Sequence, residues 1–301
     1  MKRRRKAEEV STLRRIDLQR GNDVGPSLVS TSLLNPLKII PEITHMQGKR
    51  RLRRFFFAEP LPPKGERLIL SLSESRHLRQ ILRLKPGDAC LVTDGSGQEA
   101  EAEVCDFSLK GEATLKIRTS RQPLSDTACF IRALPALTKG KMDFLVEKAQ
   151  ELGVNAFRPV MTARSEMKFN RETQERVVTR WQKKAREAAK QSGSLRLMEI
   201  GSVLSLRDVL GEIPAEESAV IFHPSNESIP FSVWVQELAA KQDSKLRLNL
   251  FFGPEGGFDE KELEAAKKQS PSLILVNLGP SILRVETAYV GVLAAVRFLL
   301  P

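Results

Sequence analysis

The chain has 301 residues, an apolar fraction of 41% and a formal charge of +11, which is length enough for about two globular domains at roughly 150 residues each. Three widely spaced cysteines, Cys90, Cys105 and Cys129, exclude a disulfide framework and fit a reducing, cytoplasmic setting. With only His45, His77 and His223 as histidines there is little material for a metal site or a Ser/His/Asp triad, and no run of about 18 uncharged apolar residues predicts a membrane span.

The charge is unevenly placed. Residues 1–54 hold 14 Lys/Arg against 5 Asp/Glu and so account for +9 of the +11. Residues 1–50 mix basic runs with Gly, Pro and Ser without periodicity, which predicts a basic, mostly disordered extension. They lack the short apolar core of a secretory signal, and Glu8, Glu9, Asp17 and Asp23 argue against an organellar transit peptide. Met46, just before "QGKRRLRRFFF", is an alternative start.

Over residues 53–122 short β-rich runs ("RLILSL", "ACLVTDGSGQEAEAEV", "ATLKIRT") alternate with Pro-Gly-Asp and Asp-Gly turns, interrupted by one helical segment, "ESRHLRQILRL". That pattern predicts a small antiparallel barrel. Phe55, Phe56 and Phe57 serve either as its core or as a stacking surface for bases. "RQPLSD" reads as a linker.

Over residues 128–301 the pattern becomes strand, helix, strand, which predicts a mostly parallel sheet with helices on both faces. Met142, Leu145, Val146, Ala149 and Leu152 mark the buried face of a helix over 141–152. A long helix over 172–191 turns Val177, Trp181, Ala185 and Ala188 inward and Arg176, Arg180, Lys184 and Lys190 outward. Residues 164–196 carry 10 Lys/Arg against 4 Asp/Glu, a count that suits a phosphate-binding surface or a solvated helix face equally. Strands "AVIFHP", "LRLNLFFG" and "LILVNLG" alternate with helices over 231–240 and 259–268, and an apolar terminal helix spans 285–300.

In such sheets ligands gather at the carboxyl ends of the strands. Three loops lie there: "HPSNESIP", "GPEGGF" and "LGPSILRVET". Glycines in "GPEGGF" let backbone approach a ligand, and Asp259 with Glu262 resembles a capping box that starts a helix. No Gly-Lys-Ser/Thr ending makes it a P-loop, and no GxGxxG follows the first strand as a dinucleotide site requires. Arg284 and Glu286 enter an otherwise apolar helix, where a charge needs a partner or a task.

"GPEGGF" and "LGPSILRVETA", with "ALPALTKGKMDFLVEKAQELGV", "TARS" and "RWQKKAREAAKQSG", resemble the RsmE family of SPOUT methyltransferases, and "RRFFF" and "HLRQILRLKPGDACLVTDGSG" resemble that family's PUA-like barrel. The resemblance implies an α/β fold: a C-terminal trefoil-knotted SPOUT domain preceded by a small PUA-like β-barrel. It also implies a homodimer that uses S-adenosylmethionine to methylate N3 of a uridine in 16S ribosomal RNA of the small subunit. Carried over by motif, Phe222, His223, Gly253, Glu255, Gly257, Leu278, Gly279, Ile282, Leu283 and Thr287 line the cofactor. Arg284 and Glu286 face the substrate, Glu286 as proton acceptor and Arg284 as stabiliser of the uracil anion. Arg54, Arg164, Arg180 and Lys184 are the candidate RNA contacts. Ser194 and Met198 stand where the family has arginine and proline, which puts one RNA contact in doubt, with Arg196 as a substitute. Rival readings are a SPOUT enzyme acting on a ribose or another base, and an inactive RNA-binding or ribosome-assembly protein.

Overall fold

A computed structural model of the chain describes residues 52–121, 129–167, 169–240 and 246–300. The basic extension, residues 1–50, and most of the "RQPLSD" linker lie outside them.

The first sheet is built from β1 (Arg54–Phe56), β2 (Arg67–Ile69), β3 (Ala89–Thr93), β4 (Glu99–Phe107) and β5 (Ala113–Arg121), in the order β1-β3-β4-β5-β2. It is mixed rather than wholly antiparallel, because β1 pairs parallel with β3. The chain between them is long enough for the crossover that parallel pairing demands, and it carries β2 and a short helix, α1 (Leu72–Arg76). The helix runs on through a π-helical turn to Ile81, and Arg83 at φ +56 ends it. Phe55, Leu68, Leu70, Leu78, Val92, Val104, Leu115 and Ile117 form the core of this sheet. Phe55 is therefore core, and Phe56 is buried beneath the ammonium of Lys190, 5.9 Å from its ring.

The second sheet has seven parallel strands. They are β6 (Cys129–Pro135), β7 (Ala156–Phe157), β9 (Glu199–Ile200), β11 (Ser218–Phe222), β12 (Ile229–Pro230), β13 (Leu246–Phe252) and β14 (Ile274–Asn277), ordered β12-β14-β11-β13-β6-β7-β9. A minor pair, β8 (Val160–Met161) with β10 (Leu204–Ser205), lies apart. Helices α2 (Met142–Glu151), α3 (Arg171–Ser192), α5 (Phe231–Ala240) and α7 (Val285–Leu299) share a core with Val220, Phe222, Leu248, Leu250 and Val276. Helices α4 (Leu206–Glu212) and α6 (Glu260–Gln269) cover the alternate residues Ala219, Ile221, Phe251 and Leu275. Successive side chains of a strand point to opposite faces, so both faces of the central strands are buried and their sequences read as largely apolar runs.

Two residues interrupt the apolar run of β13: the exposed Arg247, which pairs with Glu217, and Asn249. Asn249 is 1% exposed, yet Nδ2 donates to Glu217 Oε2 at 2.9 Å and Oδ1 accepts from Arg132 at 2.7 Å, so its polar atoms are satisfied.

Helix α3 is bounded as its sequence dictates: the Asn170 side chain accepts from Thr173 N, and Gly193 takes the left-handed position at φ 78. Trp181 is fully buried at its centre and donates to Asp143 at 3.1 Å. Lys190 departs from the expected outward face. It turns to Glu74 of α1 at 2.5 Å and is 23% exposed. The 94–97 turn of the first sheet docks on 195–197, where Leu197 N donates to Gly95 O at 2.8 Å and Gly97 N donates to Leu195 O at 3.1 Å. Ser194 and Met198 belong to this junction. Ser194 donates to Arg196 O at 2.8 Å, Met198 is 4% exposed in the core, and Arg196 packs along Gly97.

Candidate functional site

Strands β11, β13 and β14 are neighbours, with Phe222 in register with both Phe252 and Val276. Their loops therefore leave the sheet side by side, and they enclose a cavity of about 310 Å³. Phe222, His223, Gly253, Glu255, Gly257, Leu278, Gly279, Ile282 and Leu283 all line it. Thr287 does not: it is exposed, because Val285 and Ala288, three apart on α7, take the cavity-facing stripe. The lining that motif reading missed, Pro224, Phe252, Pro254, Gly256, Pro280 and Ser281, consists of neighbours in the same three loops. Larger clefts of about 910 Å³ (between 161–165, α4 and α6) and 630 Å³ (at the 95–97 junction) lack this convergence of bare backbone at strand ends.

The glycines are required by geometry. A Cβ on Gly253 would stand 3.1 Å from the ring of Phe258, which is 3% exposed and has nowhere to go. Gly257 and Gly279 have φ of +67 and +118, conformations that other residues adopt only under strain. Gly257 N donates to Pro254 O at 2.9 Å and Gly279 N to Asn277 Oδ1 at 3.0 Å, so both turns are closed by hydrogen bonds. Under the loops lies an aromatic floor: Phe222 stacks on Phe252 at 5.0 Å, and Tyr289 meets Phe252 edge-on at 4.8 Å. His223 N donates to Val276 O at 2.9 Å, and the imidazole is held below the usual histidine range by burial, then by Arg164 and Lys267. At neutral pH the ring is therefore uncharged.

Arg284 occupies the N-cap position of α7 without a capping side-chain hydrogen bond, is exposed and makes no ion pair among the described residues. Glu286, two residues on within the first turn of α7, does not pair with it. Its partner is Lys141, whose Nζ lies 2.9 Å from Glu286 Oε2 and 2.7 Å from Glu255 Oε1. The hydrogen bond from Lys141, reinforced by the residue's own backbone N–H, holds the Glu286 carboxyl below the usual carboxylate range. Lys141 stands in "ALTKGKMDF", but nothing local in that sequence signals two carboxylates so distant along the chain.

The candidate RNA contacts separate into two groups. Arg54 is 18% exposed and bound to the nearly buried Glu99 at 2.6 Å, which makes it a brace of the first sheet rather than an open cation. Arg180 (60% exposed, on Asp143 at 2.8 Å) and Lys184 (34%, on Glu147 at 2.7 Å) keep solvent access on α3. Arg164 reaches across to the glycine loop, donating to Gly256 O at 2.7 Å and meeting Asp259 at 3.3 Å. Asp259 caps α6 as expected, accepting from Lys261 N at 3.0 Å, whereas Glu262 accepts from Ala163 N at 3.0 Å and so ties the same "TARS" loop to α6.

The RNA methyltransferase domain model matches residues 127–297, and the RNA methyltransferase PUA domain model matches residues 73–106. The chain is 30% identical over 230 residues to ribosomal RNA small subunit methyltransferase E of Bacillus subtilis, covering 75% of this chain and 87% of that one. It is 29% identical over 288 residues to the Synechocystis protein of the same name, covering 92% and 88%. Among solved structures, ribosomal RNA small subunit methyltransferase E of Neisseria gonorrhoeae bound to S-adenosyl methionine superposes with a TM-score of 0.72 at 27% identity, covering 83% of this chain and 98% of that one. No helix among the described residues is long and apolar enough to cross a membrane.

Proposed function

We propose, from the premise that this chain belongs to the RsmE family of SPOUT RNA methyltransferases, that it methylates N3 of a uridine in 16S ribosomal RNA with S-adenosylmethionine as donor. The observation that carries the reading is the convergence of three motif loops on one glycine-backed cavity. Its lining fits the cofactor: two stacked phenylalanines and Leu278, Ile282 and Leu283 supply apolar walls, while Gly253, Gly256 and Gly257 leave backbone open to polar groups. The volume sits at the small end of the range for ligand pockets, roughly 300–1,000 Å³. When bound, the cofactor supplies an electrophilic methyl group.

The chain's own residues do the rest. Uridine N3 carries a proton that must leave for the nitrogen to attack. Glu286, held ionised by Lys141, is available as acceptor at neutral pH, but its lowered proton affinity makes it a weak base. Arg284 therefore carries more of the work, because an exposed guanidinium beside the cavity rim lowers the energy of negative charge on the uracil oxygens. Positioning supplies much of the remaining rate.

The reading divides the chain into an extension (1–50), a PUA-like domain (53–122) that holds RNA and a trefoil-knotted methyltransferase domain (128–301). Arg164, Arg180 and Lys184 are the phosphate contacts it favours. It also implies a homodimer working in the cytoplasm: Ile282 and Leu283, 93% and 41% exposed at the cavity rim, are apolar surface for a second subunit to cover. The test is mass spectrometry of nucleosides from undermethylated small subunits incubated with protein and S-adenosylmethionine. N3-methyluridine is the expected product. A methylated ribose or another base would keep the fold and overturn the substrate, and absence of both binding and product would favour an RNA-binding protein without chemistry.

A further inference from the structure

Lys141 departs from the capping rule that four other helix starts obey, a departure it shares with Arg284 at the start of α7. Ser71, Asn170, Ser205 and Asp259 each cap a helix by accepting from backbone N–H, as the orphan donors there require. Lys141 occupies the same position on α2, forms no side-chain cap and puts a positive charge at the positive end of the helix dipole. Where local preference is overridden, the reason lies in the tertiary structure. Here it is the bridge from one ammonium to two carboxylates on separate elements: Glu255 of the glycine loop and Glu286 of α7. Gly140 at φ +75 supplies the turn immediately before it.

We propose that Lys141 is a positioning residue of the methyl-transfer site, its ammonium clamping the cofactor-lining loop at Glu255 to the substrate-facing start of α7 at Glu286. The proposal rests on the function inferred above. Both carboxylates lie within 2.9 Å of a single nitrogen, so without the ammonium two like charges face each other at the cavity rim. The loop and the helix then separate, or one carboxyl takes up a proton. The charged groups facing Glu286 are Lys141 from α2 and Arg284 from its own element, and Lys141 faces Glu255 as well. Removing Lys141 leaves only the residue's own backbone N–H and Arg284 to keep Glu286 ionised, so the carboxyl protonates at higher pH.

The experiment compares wild type, Lys141→Met and Lys141→Arg by calorimetric titration with S-adenosylmethionine, by methylation rate against pH on undermethylated small subunits, and by thermal unfolding. In Lys141→Met the cofactor Kd is expected to rise about fivefold, the sum of two part-exposed ion pairs. The acid limb of the rate profile is expected to move up by about one pH unit, with the thermal midpoint little changed. Lys141→Arg should restore the limb. If wild type binds and methylates but Lys141→Met keeps the wild-type limb and affinity, the clamp is overturned, and so it is if only the melting temperature falls. A wild type that neither binds cofactor nor methylates overturns the functional reading and takes the clamp with it.

Discussion

Gly279→Ala isolates the conformational demand of the third loop. No atom stands within 4 Å of the position its Cβ would take, so the substitution creates no clash and the whole effect comes from φ +118. Holding an L-residue in so sparsely populated a conformation costs on the order of 1–3 kcal/mol. If the loop keeps its geometry, that energy appears as lost stability. If the loop relaxes, it appears as lost cofactor affinity, about 5- to 150-fold at 1.4 kcal/mol per factor of ten. Gly111, at φ +88 in the turn between β4 and β5 and also with nothing within 4 Å, is the matched control far from the cavity. Gly111→Ala should lose stability and bind S-adenosylmethionine like wild type, whereas Gly279→Ala should bind it weakly in a calorimetric titration. Wild-type affinity together with a wild-type unfolding midpoint for Gly279→Ala would refute the reasoning.

Tyr289, the sole tyrosine, is fully buried with no partner for its hydroxyl among the described residues. Tyr289→Phe should therefore stabilise the protein by about 1 kcal/mol, read as a rise of about 2–4 °C in Tm. A fall would show the hydroxyl to be bonded. Burial also pushes the phenol well above its ordinary value, so the folded chain keeps this proton longer than the unfolded one and stability falls as pH rises past about 10; phenolate absorbance should appear only with unfolding. Arg54→Ala removes the two hydrogen bonds that its guanidinium donates to Glu99, a loss of about 2 kcal/mol in urea unfolding. An unchanged stability with a shallower salt dependence of RNA binding would return Arg54 to the RNA interface. Burial raises the thiols of Cys90 to about 12 and of Cys129 to about 11, so in the folded protein an alkylating reagent should modify the half-buried Cys105 first. Equal rates at all three would contradict that burial.

Much of this was legible because periodicity and punctuation agree. The strands over 219–222 and 246–252 are apolar runs, broken in the second only by Arg247 and Asn249, and α3, α5 and α7 match their expected spans to within a residue or so. The cavity was legible because its glycines and prolines sit in contiguous loops. Strands β9 and β10 and helix α4 were not: two-residue strands show no alternation, and seven residues with Gly211 among them give less than two turns of helical period. Lys141 stayed hidden for another reason. Glu286 is 145 residues away in sequence, and a helix cap that fails locally carries no sign of what it gains at a distance. Thr287 stands outside the cavity lining, between Val285 and Ala288, because the helical phase that decides this is not set by the motif alone.

Strand β14 lies between β12 and β11 although both precede it in the chain, and the cavity's third wall runs from Leu278 into α7 as far as Ala288. A nascent polypeptide that has already released its first sheet, its basic helix and its glycine loop still has no pocket, since the slot between β12 and β11 is empty until β14 enters. Activity should thus switch on only once the start of α7 has been made, and a product cut short anywhere before Ala288 should be silent rather than weakly active. For an enzyme whose substrate belongs to the machine that makes it, that ordering keeps unfinished copies from marking ribosomal RNA.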